Sequence, residues 1–269
     1  MDNIPFYKYQ GAGNDFVILD QRSTTYLHHD QQALIERICD RKFGIGADGL
    51  MLLENDPNYD FRMVYFNADG KEGSMCGNGG RCIVAFAHHL GVISEHCSFI
   101  AVDGPHEAFV KAANYVELKM QDVDQLERGA DFFVLDTGSP HYIEFVEQID
   151  QLPVVEKGRA IRYSERFKSE GINVNFVAVN DPQSLSIATY ERGVEDETLA
   201  CGTGVTAAAI AHHLQSGQKG ANTISLKAKG GQLEVRLEEK EQKFTNIWLC
   251  GPAEKVFRGK FSGDEIMNC

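Results

Sequence analysis

The motif Cys-Gly-x-Gly occurs twice, as Cys76-Gly-Asn-Gly79 and Cys201-Gly-Thr-Gly204, 125 positions apart, and each copy opens a proline-free, apolar segment of helix length. The first segment continues through Cys82-Ile-Val-Ala-Phe-Ala87 to Leu90 before Gly91; the second continues through Val205-Thr-Ala-Ala-Ala-Ile-Ala211 to Leu214 before Ser216-Gly217. Alanine favours the helix and the trailing glycine ends it. Apolar residues fall on nearly every face, so each helix belongs inside a domain and not on its surface. Each cysteine then sits at a buried helix start, where orphan backbone N–H groups and the positive end of the dipole favour a thiolate and draw its pKa toward neutrality. Glycine lets those N–H groups approach a bound carboxylate closely. A lone cysteine is more often a small buried hydrophobe. Two copies at matching helix starts point instead to a proton-transfer pair.

The remaining composition narrows the setting. A chain of 269 residues with a 43% hydrophobic fraction can fill two cores, and two domains of about 130 residues suit both the length and the motif offset. No run of eighteen apolar residues appears and Met1-Asp-Asn-Ile-Pro5 has no signal-peptide pattern, which predicts a cytoplasmic protein with no membrane partner. Cys39, Cys76, Cys82, Cys97, Cys201, Cys250 and Cys269 are scattered without a CxxC pair, which argues against a disulfide framework or a structural zinc site and predicts no bound metal. A net charge of −13 argues against nucleic acid as a partner. It still permits a small anionic substrate bound by local N–H groups and an arginine.

The element pattern repeats. Strand-like Phe16–Leu19, a helical stretch at Gln31–Cys39, and strand-like Leu50–Leu53 and Phe61–Phe66 lead to the first cysteine helix, and short strands fill residues 94–120. After the polar stretch Gln121–Asp131, read as the passage between domains, come strand-like Phe132–Leu135 and Tyr142–Val146. A helical stretch near Ser164–Lys168 follows, then strands over Asn173–Val179 and Ser184–Tyr190, and the second cysteine helix. Gly44, Gly46 and Gly49 have GxGxxG spacing but precede a strand-like run, the reverse of a dinucleotide-binding fingerprint. The expectation is an α+β fold of two similar halves facing each other, residues 1–125 with 256–269 returning, and residues 126–255, with the cysteines meeting at the cleft.

Gly11-Ala-Gly-Asn-Asp-Phe16, Gly44-Ile-Gly-Ala-Asp-Gly49, Phe66-Asn-Ala-Asp-Gly70, Met75-Cys-Gly-Asn-Gly79, Glu191-Arg-Gly193, Thr198-Leu-Ala-Cys-Gly-Thr-Gly204 and Gly251-Pro-Ala-Glu-Lys-Val-Phe257 together resemble the diaminopimelate epimerase family. The resemblance covers essentially the whole chain. It implies two pseudo-symmetric domains, each a mixed sheet or barrel wrapped around a central helix. It also implies cofactor-independent epimerisation of LL- to meso-2,6-diaminopimelate, a step toward lysine and peptidoglycan, in a homodimer. By position Cys76 and Cys201 would be the base and acid, and the N–H groups of Gly77, Asn78, Gly202 and Thr203 would hold the carboxylate at the reacting carbon. Asn14, Asn67, Asn173, Glu191 and Arg192 would hold the substrate, with Arg192 on the distal carboxylate. His141 and Glu191 would tune the thiols, and Phe257 falls at the family's dimer interface.

Three positions depart from that pattern. Gly138-Ser-Pro-His141 carries Ser139 where the family has asparagine, Ala12 replaces a larger residue, and Gly49 stands where some relatives have a substrate-binding glutamine. In isolation, Asn14 and Asn67 have the composition of ordinary turns, Glu191-Arg192 of an ion pair, and His88-His89 and His212-His213 of cations complementing helix C-termini. The residues alone leave open a proline or hydroxyproline racemase, a cysteine hydrolase using Cys201 with His141, and a binding protein that lost its chemistry. Asn67, Asn173 and Arg192 favour an acyclic substrate with a second charged end.

Overall fold

The structure, a computed structural model, describes residues 3–73, 75–112 and 114–268. The chain forms two compact units: one runs to Leu118 and resumes at Pro252, the other is Lys119–Gly251.

In the first unit β1 (Ile4–Gly11) and β2 (Asn14–Asp20) form an antiparallel hairpin. The helix α1 (Gln32–Cys39) carries the chain to β3 (Gly49–Glu54), which lies parallel to β2 and antiparallel to β4 (Phe61–Asn67). The central helix α2 (Gly77–His89) then crosses to β5 (His96–Ala101), parallel to β4, and β6 (Gly104–Ala112) and β7 (Tyr115–Lys119) follow as antiparallel neighbours.

The second unit repeats this path. After β8 (Leu126–Arg128), strands β9 (Phe132–Asp136) and β10 (Pro140–Phe145) form a hairpin, and α3 (Val154–Arg162) crosses to β11 (Asn173–Asp181), parallel to β10. Antiparallel β12 (Ser184–Glu191) follows with the short β13 (Asp196–Thr198), and α4 (Gly202–Gln215) crosses to β14 (Gly220–Ala228), parallel to β12. Strands β15 (Gly231–Lys240) and β16 (Lys243–Pro252) complete it. The chain returns to the first unit with β17 (Glu254–Phe261), antiparallel to β1, and α5 (Gly263–Asn268).

Hairpin, crossover helix, antiparallel strand and buried crossover helix thus occur in the same order twice, giving the α+β architecture expected from the repeated motifs. The inner strands are buried on both faces, as parallel-paired strands between two helices are. Val17, Leu19, Leu50 and Leu52 share a cluster with Ile35 and Ile38 of α1. Phe16 and Met51, of the opposite parity, lie beside Gly79 at the start of α2. In the second unit Val174, Phe176, Ala188 and Tyr190 share a cluster with Val154 of α3, leaving Asn175 and Thr189 on the other face. Residues Gly77–Ala87 of α2 are all buried, as is α4 from Gly204 to His213.

Two expectations are corrected. The helix of the second unit lies at Val154–Arg162, upstream of Ser164–Lys168, which forms turns. Gly158 obscures it in the sequence, yet that glycine is where the helix packs down onto Tyr190. His212 and His213 are buried; His212 bonds the Pro182 carbonyl (3.0 Å) and His213 the Asn222 amide (3.3 Å). Burial lowers the pKa of His213, which disfavours a cation at this helix end. No helix among the described residues is long and apolar enough to cross a membrane.

A Cβ at Gly158 would lie 2.4 Å from Tyr190 Cβ. Gly158→Ala therefore loses about 1–3 kcal/mol of stability through overpacking, although alanine is about 1 kcal/mol better than glycine in a helix interior. Urea denaturation of the variant against wild type checks the sign.

Candidate active site

Cys76 and Cys201 are the N-caps of α2 and α4, both with extended backbone (φ −102°, ψ 131° and φ −112°, ψ 114°). The Cys76 carbonyl accepts the first helical bond from Gly80 N–H (2.7 Å), and the Cys201 carbonyl accepts from Val205 N–H (2.9 Å). The N–H groups of Gly77, Asn78, Gly202 and Thr203 therefore belong to the first turns, whose donors have no intrahelical acceptor. Neither cysteine side chain caps its own helix. Both thiols are half-buried, whereas Cys39, Cys82, Cys97 and Cys250 are buried. Burial pushes the Cys39 and Cys97 thiols up to about 12, which leaves them unreactive.

Strand register gathers the first unit's residues. The β1–β2 loop is the two-residue turn Ala12-Gly13, with positive φ at both positions (53° and 85°), a type I′ geometry that places Asn14 at the start of β2. Phe16 pairs with Gly49 and Gly49 with Asn67, so the loops carrying Asn14, Asp48 and Asn67 share one end of the sheet. Cys76 Sγ donates to Asn14 Oδ1 (3.5 Å), while the Asn14 amide donates to Asp48 (2.6 Å). Asp48 is held in turn by Arg41 (2.7 Å), which also bonds Asp15 (2.6 Å); Lys8 pairs with Asp15 (2.7 Å) and donates to the Gly46 carbonyl. Burial pushes the Asp15 pKa up, but the bonds from Arg41 and Lys8 outweigh it and hold the carboxyl at about 2. This charged frame fixes the Asn14 amide. Asp48 was legible only as part of a motif. Fully buried Arg81, which donates to the Gly77 carbonyl (3.2 Å) and Asn78 Oδ1 (3.0 Å), had no sequence signal, since it sits in an apolar helix. At Gly49 a Cβ would lie 2.5 Å from the Phe66 carbonyl oxygen, so no side chain fits there.

The second unit uses the same strand ends. His141 of β10 pairs with Asn173 of β11, whose Oδ1 accepts from Arg192 N–H just past β12 (2.9 Å). Asn173 donates to Ser139 Oγ (2.9 Å), and the Arg192 guanidinium reaches the same oxygen (3.5 Å) and the Glu170 carbonyl (3.1 Å). Ser139, read as a departure, is thus a bridge between Asn173 and Arg192. Glu191 accepts from Thr198, three residues before Cys201 (2.9 Å). His141 is fully buried; its Nε2 lies 2.9 Å from Thr203 Oγ1, which lies 3.3 Å from Cys201 Sγ. It therefore approaches the thiol through Thr203. Burial, helped by the charge of Arg192, lowers its pKa to about 3. Phe257 lies on β17, nearly half exposed, its ring edge-on to Phe6 at 5.9 Å. Among the described residues no cluster of three or more metal-ligating side chains occurs.

The fold is shared with solved proteins of low sequence identity. A phenazine biosynthesis protein of the PhzF family from Bacillus anthracis aligns over 97% of this chain and 100% of its own with TM-score 0.73 at 13% identity. A hydroxyproline epimerase from Agrobacterium vitis aligns over 97% and 94% with TM-score 0.71, also at 13% identity. These likenesses and the site define a class: two-unit α+β proteins built on buried crossover helices, here each capped by a cysteine. Within it, the diaminopimelate epimerase family model matches residues 6–124 and 133–256. The diaminopimelate epimerase of Flavobacterium psychrophilum is 49% identical over 251 residues, 93% of this chain and 97% of its own. The chain belongs to the diaminopimelate epimerase family.

Two outcomes follow from this geometry. A Cβ at Gly204 would lie 2.4 Å from Asn175 Oδ1 and 3.2 Å from the His141 ring, whereas at Gly79 it would meet only ordinary contacts from 3.4 Å outward. Gly204→Ala therefore destabilises the chain markedly more than Gly79→Ala, as thermal unfolding will show. His141 is neutral when folded but protonates near 6.5 when unfolded. The unfolded state thus binds the extra proton below pH 6.5, and stability falls by up to about 1.4 kcal/mol per pH unit from this residue as pH drops from 6.5 toward 3. Urea midpoints measured between pH 7 and 5 will show a shallower decline in His141→Gln.

Proposed function

We propose that this chain interconverts LL- and meso-2,6-diaminopimelate by proton transfer between two thiols, without pyridoxal phosphate or metal. Membership of the family, at 49% identity to a named epimerase over nearly the whole chain, carries the reading of the reaction. The equivalent N-cap positions of Cys76 and Cys201 support the division of roles.

Inverting a carbon centre requires removal of a proton from one face and delivery to the other. In each direction one cysteine acts as thiolate base and the other as thiol acid, and the roles exchange with the configuration at the carbon. The α-proton is weakly acidic, so the carbanion must be stabilised. The first-turn N–H groups of Gly77, Asn78, Gly202 and Thr203 hold the adjacent carboxylate, onto which the charge delocalises. Asn14, Asn67 and Asn173 orient the substrate, Glu191 receives an ammonium group, and Arg192 pairs the distal carboxylate. The Asn173–Ser139–Arg192 contacts support that distal assignment. The protein works in the cytoplasm as a homodimer joined along β17. The exposed Val256 and Phe257 of that strand support this surface.

Assays without added cofactor test the reading. Wild type epimerises LL-diaminopimelate and not L-proline, and in deuterated water the product gains deuterium at the α-carbon. Cys76→Ala and Cys201→Ala each lose about 10²–10⁴-fold, the usual contribution of a positioned acid or base. Undiminished activity in both variants, or turnover with no deuterium incorporated, rejects the two-thiol mechanism.

A further inference from the structure

Behind Cys201 lies a buried polar chain whose direction is fixed at its far end. Asn175 is fully buried on β11, facing away from the apolar cluster of α3. Its Nδ2 lies 3.1 Å from the Tyr142 carbonyl oxygen and 3.0 Å from His141 Nδ1, and its Oδ1 accepts from the Thr189 hydroxyl at 2.9 Å. A backbone carbonyl only accepts, so the atom facing Tyr142 must be the amide nitrogen. Its second N–H then points at His141 Nδ1, which must accept. A neutral imidazole carries one proton, so that proton is on Nε2. Nε2–H donates to Thr203 Oγ1 at 2.9 Å, and the Thr203 hydroxyl proton is left to point along the 3.3 Å contact to Cys201 Sγ. The Thr203 backbone is anchored independently, its carbonyl accepting from Thr137 Oγ1 at 2.8 Å.

We propose that Asn175 is a positioning residue for proton transfer: by locking His141 as the Nε2–H tautomer it makes the Thr203 hydroxyl a fixed donor to the Cys201 thiolate. His141 then acts as a constant N–H donor and not as a titrating charge. The desolvation that keeps it neutral agrees with this, and Arg192 is the charged group acting on the ring in the same direction. The bare glycine at position 204 leaves the room in which the Asn175 oxygen and the imidazole edge sit. The role assigned to Asn175 rests on reading Cys201 as an acid/base thiol, but its test does not use turnover.

Iodoacetamide alkylation of Cys201, followed by peptide mass spectrometry against pH in a Cys76→Ala background, reads the thiolate directly. Thr203→Val raises the apparent Cys201 pKa by about one unit, equivalent to about tenfold slower alkylation at fixed pH, because a hydrogen bond to a charged group is lost. Thr203→Ser retains the wild-type value. Asn175→Leu shifts it in the same direction, and Thr203→Val/Asn175→Leu shifts it no further than the larger single effect, as members of one chain of bonds should. Nitrogen NMR of histidine-labelled wild type, with His141 assigned by its loss in His141→Gln, shows the Nε2–H tautomer unchanged from pH 5 to 8. This measurement stands even if Asn175→Leu fails to fold. An Nδ1–H tautomer, titration of His141 in that range, or an unmoved Cys201 pKa in Thr203→Val overturns the proposal. A chain with these signatures that does not epimerise diaminopimelate overturns the functional reading and leaves the positioning role standing.

Discussion

Both units depend on one arrangement: a helix buried along most of its length whose N-cap is a cysteine. Burial forces the strands to wrap the helix, and the helix start then opens where the strand ends converge. First-turn N–H groups, which lack an intrahelical acceptor, make with a neighbouring thiol a poor place for a hydrophobic side chain and a good one for an anion. The glycines after each cysteine let the surroundings close on the helix start, most tightly at Gly204.

The two copies are alike in path and different in chemistry. Around Cys76, a frame of charges, Lys8, Asp15, Arg41 and Asp48, ends on the amide of Asn14, whose oxygen faces the thiol. Around Cys201, a neutral buried chain through Asn175, His141 and Thr203 ends on a hydroxyl facing the thiol. One fold repeated has thus been given an acceptor beside one sulfur and a donor beside the other. In the proposed two-thiol mechanism the sulfurs hold opposite protonation states, and such unequal neighbours serve that better than identical ones.

Much of this was legible along the chain. The buried helices were readable because apolar residues on every face fit no surface helix, and β2, β3, β4 and β9 because their apolar runs are too short for helices. Helix α3 was misplaced because Gly158 is locally unfavourable in a helix and is explained only by contact with Tyr190. Asn175 was invisible for a related reason. The alternation Asn173-Val-Asn-Phe176 reads as a strand with one wet face, whereas both faces are covered and Asn175 is fully buried.

The sequence by itself determined the repeated architecture and the placement of Cys76 and Cys201 at the starts of two buried helices, because those follow from periodicity, glycine placement and a motif present twice. The tertiary structure decided which polar groups touch which. Ser139 between Asn173 and Arg192, Asp48 behind Asn14, and Asn175 behind His141 are contacts between residues 34 to 53 positions apart. Strand register creates those neighbours, and local sequence carries no record of register until the helices fix which face of each strand is buried.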